Sequence, residues 1–194
     1  MKKKTAGQMP SVAQMQAELS RLKYRNRFSK VMRSTVYALI IVAAIAVLVA
    51  TLWMPVLQIH GSSMAPNVAD GDIILSVKTS EAKPGEIIAF YYNNKILVKR
   101  VIALPGDWVD ISEDGSVYVN SVLQEETYLQ EKALGQCDIE FPYQVPAASY
   151  FVLGDNRSVS VDSRHSAVGC ISEEQIVGKI VFRVWPLPVF GLVE

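Results

Sequence analysis

From Ser34 to Ala69 the chain carries no Asp, Glu, Lys or Arg, and within that run Thr35 to Leu57 is almost wholly apolar. About 20 apolar residues in a helix cross a bilayer core about 30 Å thick. This stretch therefore reads as a membrane anchor, and the remaining chain has to fold beside a membrane. A cleaved export signal is the rival reading. Its apolar region runs to about 7–15 residues, its basic arm is short, and it ends at a small-x-small site. Here both parts are longer, and the run ends Leu52-Trp53-Met54-Pro55 with no such site. The expectation is an uncleaved anchor over 34–55, with Trp53 at the outer interface.

Charge supports that orientation. The chain has 19 Lys/Arg and 19 Asp/Glu, but they are unevenly placed. Before Ser34 stand Lys2, Lys3, Lys4, Arg21, Lys23, Arg25, Arg27, Lys30 and Arg33 against one acid, Glu18. The acids are concentrated in the rest. A short basic arm and an acidic body argue against nucleic-acid binding by the main domain. They fit the rule that basic flanks stay in the cytoplasm. Residues 1–33 are thus expected to be a cytoplasmic tail and 56–194 an extracytoplasmic domain. Ser11-Val12-Ala13-Gln14 resembles a capping box, and Val12, Met15, Leu19 and Leu22 keep helical spacing. The arm either meets anionic lipid headgroups or is a solvated tail.

Beyond Pro55 short β-type runs alternate with turn signals. Gly71 to Val77 reads as a strand, and Pro84-Gly85 as a turn. Ile87 to Tyr92 and Lys95 to Ile102 flank Asn93-Asn94, which fits a type I′ hairpin. Val109 to Ile111 and Ser116 to Val119 flank Glu113-Asp114-Gly115, a second hairpin. Tyr150 to Leu153 runs into Gly154-Asp155-Asn156, and Ile176 to Trp185 is a last long strand. Leu123 to Gln136 has no clear period and reads as a loop or a short helix. Half the residues are hydrophobic, enough for a sizeable core after the anchor is set aside. The fold class expected is mainly β, with a single N-terminal transmembrane helix. The apolar stretch Val184 to Leu192 is either core, an edge strand blunted by prolines, or a patch lying on lipid.

Ser63 stands on a chain kinked by Gly61 and Pro66, just beyond the anchor. A serine hydroxyl is a poor nucleophile until a base takes its proton. His60 is only three residues away, His165 has Arg164 beside it, and the Gly-x-Ser-x-Gly elbow is absent. A Ser-His-Asp set using Asp155 or Asp162 has no support beyond residue types. A lysine serves only if it is neutral, which at pH 7 costs an ordinary lysine about 4.6 kcal/mol. Burial lowers a lysine's pKa by about 3–5 units. In a strand Lys99 shares its face with Leu97 and Val101, while Arg100 points to the other face. Repulsion from Arg100 would also depress Lys99. Lys78, Lys83 and Lys95 stand near turns or polar residues. The alternative is that Lys99 is an ordinary edge or surface lysine. Cys137 and Cys170 either pair outside the membrane or are two partly buried free thiols. Neither they nor His60 and His165 have the spacing of metal ligands.

Four segments carry a resemblance: Gly61-Ser62-Ser63-Met64-Ala65-Pro66; Pro84-Gly85-Glu86-Ile87-Ile88-Ala89-Phe90; Val98-Lys99-Arg100-Val101-Ile102-Ala103-Leu104-Pro105-Gly106-Asp107; and Gly154-Asp155-Asn156-Arg157 through Ser160-Val161-Asp162-Ser163-Arg164. In kind and order, after one anchor, they resemble the sequence boxes of bacterial type I signal peptidases. The resemblance implies that Ser63 is the acylating nucleophile and Lys99 its general base. It implies an oxyanion hole of the Ser63 N–H with a donor from Gly61-Ser62. Ser160 would orient the lysine ammonium, Asp162 and Arg164 would form a supporting ion pair, and Asp155 and Arg157 would belong to the same support. The family binds its peptide as an added β-strand, which fits strands at Val56 to Ser62 and Lys95 to Lys99. It prefers small residues at the first and third positions before the cut. Asn67-Val68 and Ser158-Val159 depart from the usual Thr-Leu and Asp-Asn or Asn-Asn, which bears on substrate preference and leaves the Ser-Lys dyad intact.

The resemblance implies a membrane-anchored serine endopeptidase of the cell membrane. It would cut signal peptides from exported preproteins after small-x-small sites, without metal or cofactor. Its partners would be those signal peptides and membrane lipid. A peptidase dedicated to a pilin or another special substrate, and a non-catalytic β domain displayed on a membrane, are the alternatives.

Overall fold

The structure is a computed structural model and describes residues 12–193. Ser11 and its capping box, and Lys2 to Lys4, lie outside the described residues. The chain divides into two compact units, one through Val49 and one from Ala50 onward.

One helix, α1, runs from Val12 to Trp53 without a buried residue. No Gly or Pro interrupts 12–54, and residues 12–33 are rich in good helix formers, so the basic arm continues the helix. Ser34 to Trp53 at 1.5 Å per residue is about 30 Å long. Among the described residues this is one helix long and apolar enough to cross a membrane. Pro55 follows its end, where it cannot continue the helical ladder.

The second unit is built of antiparallel strands. They are β1 (Val56–Gln58), β2 (Ile73–Val77), β3 (Ile87–Tyr92), β4 (Lys95–Ala103), β5 (Trp108–Ile111), β6 (Val117–Val119), β7 (Val122–Leu123), β8 (Tyr143–Gln144), β9 (Ser149–Leu153), β10 (Ile171–Ser172), β11 (Ile176–Trp185) and β12 (Gly191–Leu192). The larger sheet has the order β1-β2-β11-β3-β4-β9-β10, with β12 on β11, and the smaller β7-β6-β5-β8. The mainly β expectation holds.

Local chemistry sets the register. Asn93 and Asn94 have φ of 45° and 61°, as the two-residue turn requires, and they bring Tyr92 opposite Lys95. That register places Ile88 opposite Lys99 and Ile87 opposite Arg100. Ile176 to Trp185 forms one long strand, pairing with both β2 and β3. β1 is shorter than expected: its ladder ends at Gln58. Ile59 still exchanges hydrogen bonds with Asp72 and Gly71, after which Gly61 turns the chain at φ +98°. Val122 and Leu123 pair with β6, and the rest of 123–136 contains neither helix nor strand.

Three apolar clusters fill the unit. One holds Ile59, Met64, Val68, Ile74, Ile87, Ala89 and Ile180. It anchors the turn that carries Ser63. A second, with Ile88, Phe90, Val101, Tyr150, Val152 and Ile171, packs with Leu97. The third joins β4 and β9 to the smaller sheet through Ala103, Val109, Val117 and Phe151. The 184–192 stretch is not core. Trp185, Leu187, Val189, Phe190 and Leu192 are half or more exposed, although Phe190 meets Phe182 edge-on at 4.8 Å. Cys137 and Cys170 are free thiols, each partly buried.

Candidate active site

Ser63 sits on the turn after β1, and its neighbours in sequence hold it there. Met64 and Val68 are buried in the core below the turn. Gly61 donates its N–H to Asp70 Oδ1 at 2.8 Å, and Ala65 donates to Ser62 O at 3.1 Å. No acceptor among the described residues takes the N–H of Ser62 or Ser63, so both donors remain available to an oxygen outside the chain.

Lys99 reaches this turn from β4. Its Nζ lies 2.6 Å from Ser63 Oγ, and the residue is 3% exposed. Burial lowers the amine's pKa from an ordinary 10.5 to about 8; Asp162 and Asp155 pull it back up, and Arg164 pushes it down. The repelling charge is thus Arg164, and not the adjacent Arg100, from which repulsion was also expected although alternation turns it to the other face. Arg100 instead turns its guanidinium to Asp155, with Nε to Oδ1 at 2.9 Å and NH2 to Oδ2 at 2.7 Å.

Behind the pair lies the 154–164 segment. Asp162 accepts from Arg164 Nε and NH2, both at 2.8 Å, and from the Gly154 N–H at 2.9 Å. The expected Asp162–Arg164 ion pair is therefore present. Asp155 and Arg157 do not pair with each other. Asp155 takes Arg100, and Arg157 takes Glu126 through NH2 at 2.5 Å and NH1 at 3.2 Å. Asn156 donates its N–H to Ser63 O at 3.0 Å, tying the segment to the serine turn. Gly154 makes this approach possible: a β-carbon there would meet Ser160 Oγ at 2.2 Å and Ser63 O at 2.5 Å. Ser160 is fully buried at that contact, and its Oγ has no hydrogen-bond partner among the described residues. No hydrogen bond joins it to Lys99 in this arrangement.

A Ser-His-Asp set is not assembled. His60 is exposed and 4.0 Å from Asp70, His165 lies 3.5 Å from Asp138, and Asp155 and Asp162 are taken by arginines. No group of three or more His, Cys, Asp or Glu among the described residues is arranged to hold a metal.

An open cleft of about 550 Å³ reaches Ser63. It is lined by Leu57 to Gly61 from the β1 side and Lys95 to Val98 from β4, together with Ser63 and Met64. β1 and β4 stand four places apart along the sheet order, with three strands between them, so the sheet curls to bring both to one cleft.

The family model described as signal peptidase, peptidase S26, matches residues 32–185. The chain belongs to this family. A signal peptidase IB of Staphylococcus aureus (strain Mu50) is 40% identical over 153 residues, covering 68% of this chain and 78% of that protein. Thylakoidal processing peptidase 1, chloroplastic, of Arabidopsis thaliana is 34% identical over 146 residues, covering 66% of this chain and 41% of that one. Among solved structures, a signal peptidase I from Enterococcus faecalis is 31% identical with a TM-score of 0.42, covering 51% of this chain and 96% of that chain.

The S26 match takes in the whole constellation from Ser63 to Arg164. Glu126, Tyr128 and Asn67 belong to it as well, and sequence reasoning missed them as partners. Tyr128 donates its hydroxyl to Glu126 Oε1 at 2.8 Å, and Arg100 Cζ lies 3.9 Å above its ring. Asn67 Nδ2 donates to Asp155 Oδ2 and to Tyr128 O. One signal was available: buried arginines in the 154–164 segment need as many anions, and the acids of 123–136 were the unassigned supply.

Proposed function

We propose that this S26 protein is a membrane-anchored serine endopeptidase that removes signal peptides from exported preproteins, with Ser63 as nucleophile and Lys99 as base. The observation that carries the reading is the 2.6 Å approach of a buried amine to the serine hydroxyl. An amine with a pKa of about 8 is partly neutral near pH 7, and only the neutral form accepts a proton.

The steps follow from that geometry. Lys99 Nζ takes the proton as Ser63 Oγ attacks the scissile carbonyl carbon. The negative oxygen that forms is met by the N–H groups of Ser63 and Ser62. The ammonium then gives its proton to the departing nitrogen, and the mature chain leaves with a free amine. Neutral again, Lys99 takes a proton from water, the hydroxide attacks the acyl carbon, and the signal peptide leaves as a carboxylic acid with Ser63 restored. Ser160, whose hydroxyl is unpartnered in the resting site, accepts from the transient ammonium. Asp155, Arg157, Asp162 and Arg164 keep the 154–164 segment rigid behind the dyad.

The peptide lies as an extended strand in the cleft between β1 and β4, bonded through backbone groups. Small residues are preferred at the first and third positions before the cut. Residues 1–33 lie in the cytoplasm, 34–55 cross the membrane, and 56–194 lie outside, as the basic flank directs. The exposed Trp185, Leu187 and Phe190 suit a domain working against lipid. Confinement to one plane raises the effective concentration of enzyme and substrate.

The test is cleavage of a small-x-small preprotein by the full chain in detergent. Ser63→Ala and Lys99→Ala should each abolish cleavage while circular dichroism shows the fold retained. Normal turnover by Lys99→Ala would refute the dyad, and normal turnover by both would leave a membrane-displayed β domain.

A further inference from the structure

A second cavity, of about 160 Å³, borders the serine turn at Ala65 and Pro66. Ser63 and Met64 line the first cleft; the next two residues of the same turn, Ala65 and Pro66, line this one, with Asn156, Ser158, Gln130 and Glu131. The Asn156 N–H that bonds Ser63 O ties its wall to the nucleophile's own backbone.

Part of its lining, Gln130, Glu131 and Ala133, belongs to the strap from Glu126 to Leu134, which is fastened at several points. Glu126 grips Arg157, Tyr128 O accepts from Asn67, and Leu134 O accepts from Arg164 NH1 at 2.5 Å. The cavity is therefore a held shape and not a gap between loose loops. Its character also differs from the cleft. Leu57, Ile59, Met64 and Ile96 make the cleft largely aliphatic, whereas in this cavity the amide, hydroxyl and charged groups of Gln130, Glu131, Asp155, Asn156, Arg157 and Ser158 outweigh Ala65, Pro66 and Ala133. The charges at its base cancel, because Asp155 is paired with Arg100 and Arg157 with Glu126. Glu131 is exposed at the rim and forms no ion pair among the described residues. One carboxylate thus sets the local field.

A peptide whose acyl side fills the cleft must continue past Ser63, and the cavity is where the chain next finds room. Resting on the peptidase reading above, we propose that this cavity is the subsite for the leaving side of the cut. It takes a side chain from the first two residues of the mature protein, favouring polar and cationic ones over acidic or large apolar ones, with Glu131 and Ser158 setting the preference.

The test uses the full chain in detergent and preproteins identical up to the cut. They differ only in carrying Ala, Lys, Gln, Glu or Trp at the first two positions beyond it. Wild type should cleave the Lys and Gln substrates about fivefold faster in kcat/KM than the Glu substrate, the scale of one exposed charge contact. Glu131→Lys should reverse the order of the Lys and Glu substrates. Ser158→Trp, which fills the cavity, should slow the Lys and Gln substrates about tenfold more than it slows the Ala substrate. Substrates varied at the third position before the cut should respond alike in all three proteins. Equal rates on every leaving-side residue, or variants that slow all substrates equally, would overturn the subsite while leaving the peptidase standing. Undiminished cleavage by Ser63→Ala would overturn the peptidase reading and the subsite with it.

Discussion

Lys99 Nζ and Ser63 Oγ meet at 2.6 Å although 36 residues separate them along the chain. Neither element could bring this about alone. The serine is held by a turn pinned through Met64 and Val68, and the lysine by a strand whose register two asparagines fix. The pairing is a product of the curled sheet.

The first prediction concerns pH. If Lys99 must be neutral to act, kcat/KM rises about tenfold per pH unit below the amine's pKa and levels off above about 8. Asp162 holds that pKa up, so Asp162→Asn should move the inflection to lower pH. Peptide cleavage from pH 5.5 to 9.5 measures both, and an unmoved inflection would mean that another group titrates. Lys99→Arg should be inactive throughout, since a guanidinium does not deprotonate in this range.

Lys99 should also weaken the fold. Its folded pKa of about 8 lies below the ordinary 10.5, so the unfolded chain binds more protons between those values. The penalty is complete below about pH 8, where it amounts to about 3 kcal/mol, and it fades as pH rises toward 10.5. Lys99→Met, of similar length and uncharged, should raise the denaturation midpoint at pH 7 and show a smaller gain at pH 10. Urea titration in detergent at the two pH values checks this.

Gly154 should tolerate no side chain. Alanine there would put a β-carbon 2.2 Å from Ser160 Oγ and 2.5 Å from Ser63 O. Forcing the site apart costs about 1–3 kcal/mol and displaces Ser63. Gly154→Ala should lose most of its turnover with a smaller loss of stability, as parallel cleavage and unfolding measurements would show.

Glu126 should matter through Arg157. Its removal as Glu126→Gln leaves a guanidinium that is 1% exposed without its anion, at a cost of about 3–5 kcal/mol. Glu126→Met with Arg157→Met removes both charges and should be much closer to wild type in stability. A double-mutant cycle on unfolding midpoints separates the two cases.

Much of the architecture was legible in the sequence because its signals are local. An uncharged apolar run determines a long helix, Asn93-Asn94 determines a tight hairpin, and alternation places Lys99 among aliphatic neighbours. The helix nevertheless runs back through the basic arm to Val12, since nothing between Val12 and Met54 breaks it. Which charges cancel was not legible. Asp155 and Arg157 are two apart in sequence, yet one pairs with Arg100 and the other with Glu126. The acids of 123–136 have no periodicity to mark which of them turns inward.

By itself the sequence determined the kinds of element and their order, and pointed to the serine and lysine proposed as the dyad, because each depends on neighbours a few residues away. The tertiary structure decided which charge faces which, where Ser160 is left without a partner, and that a polar cavity adjoins the turn carrying Ser63. Those are distances between residues remote in the chain, and only the packed sheets set them.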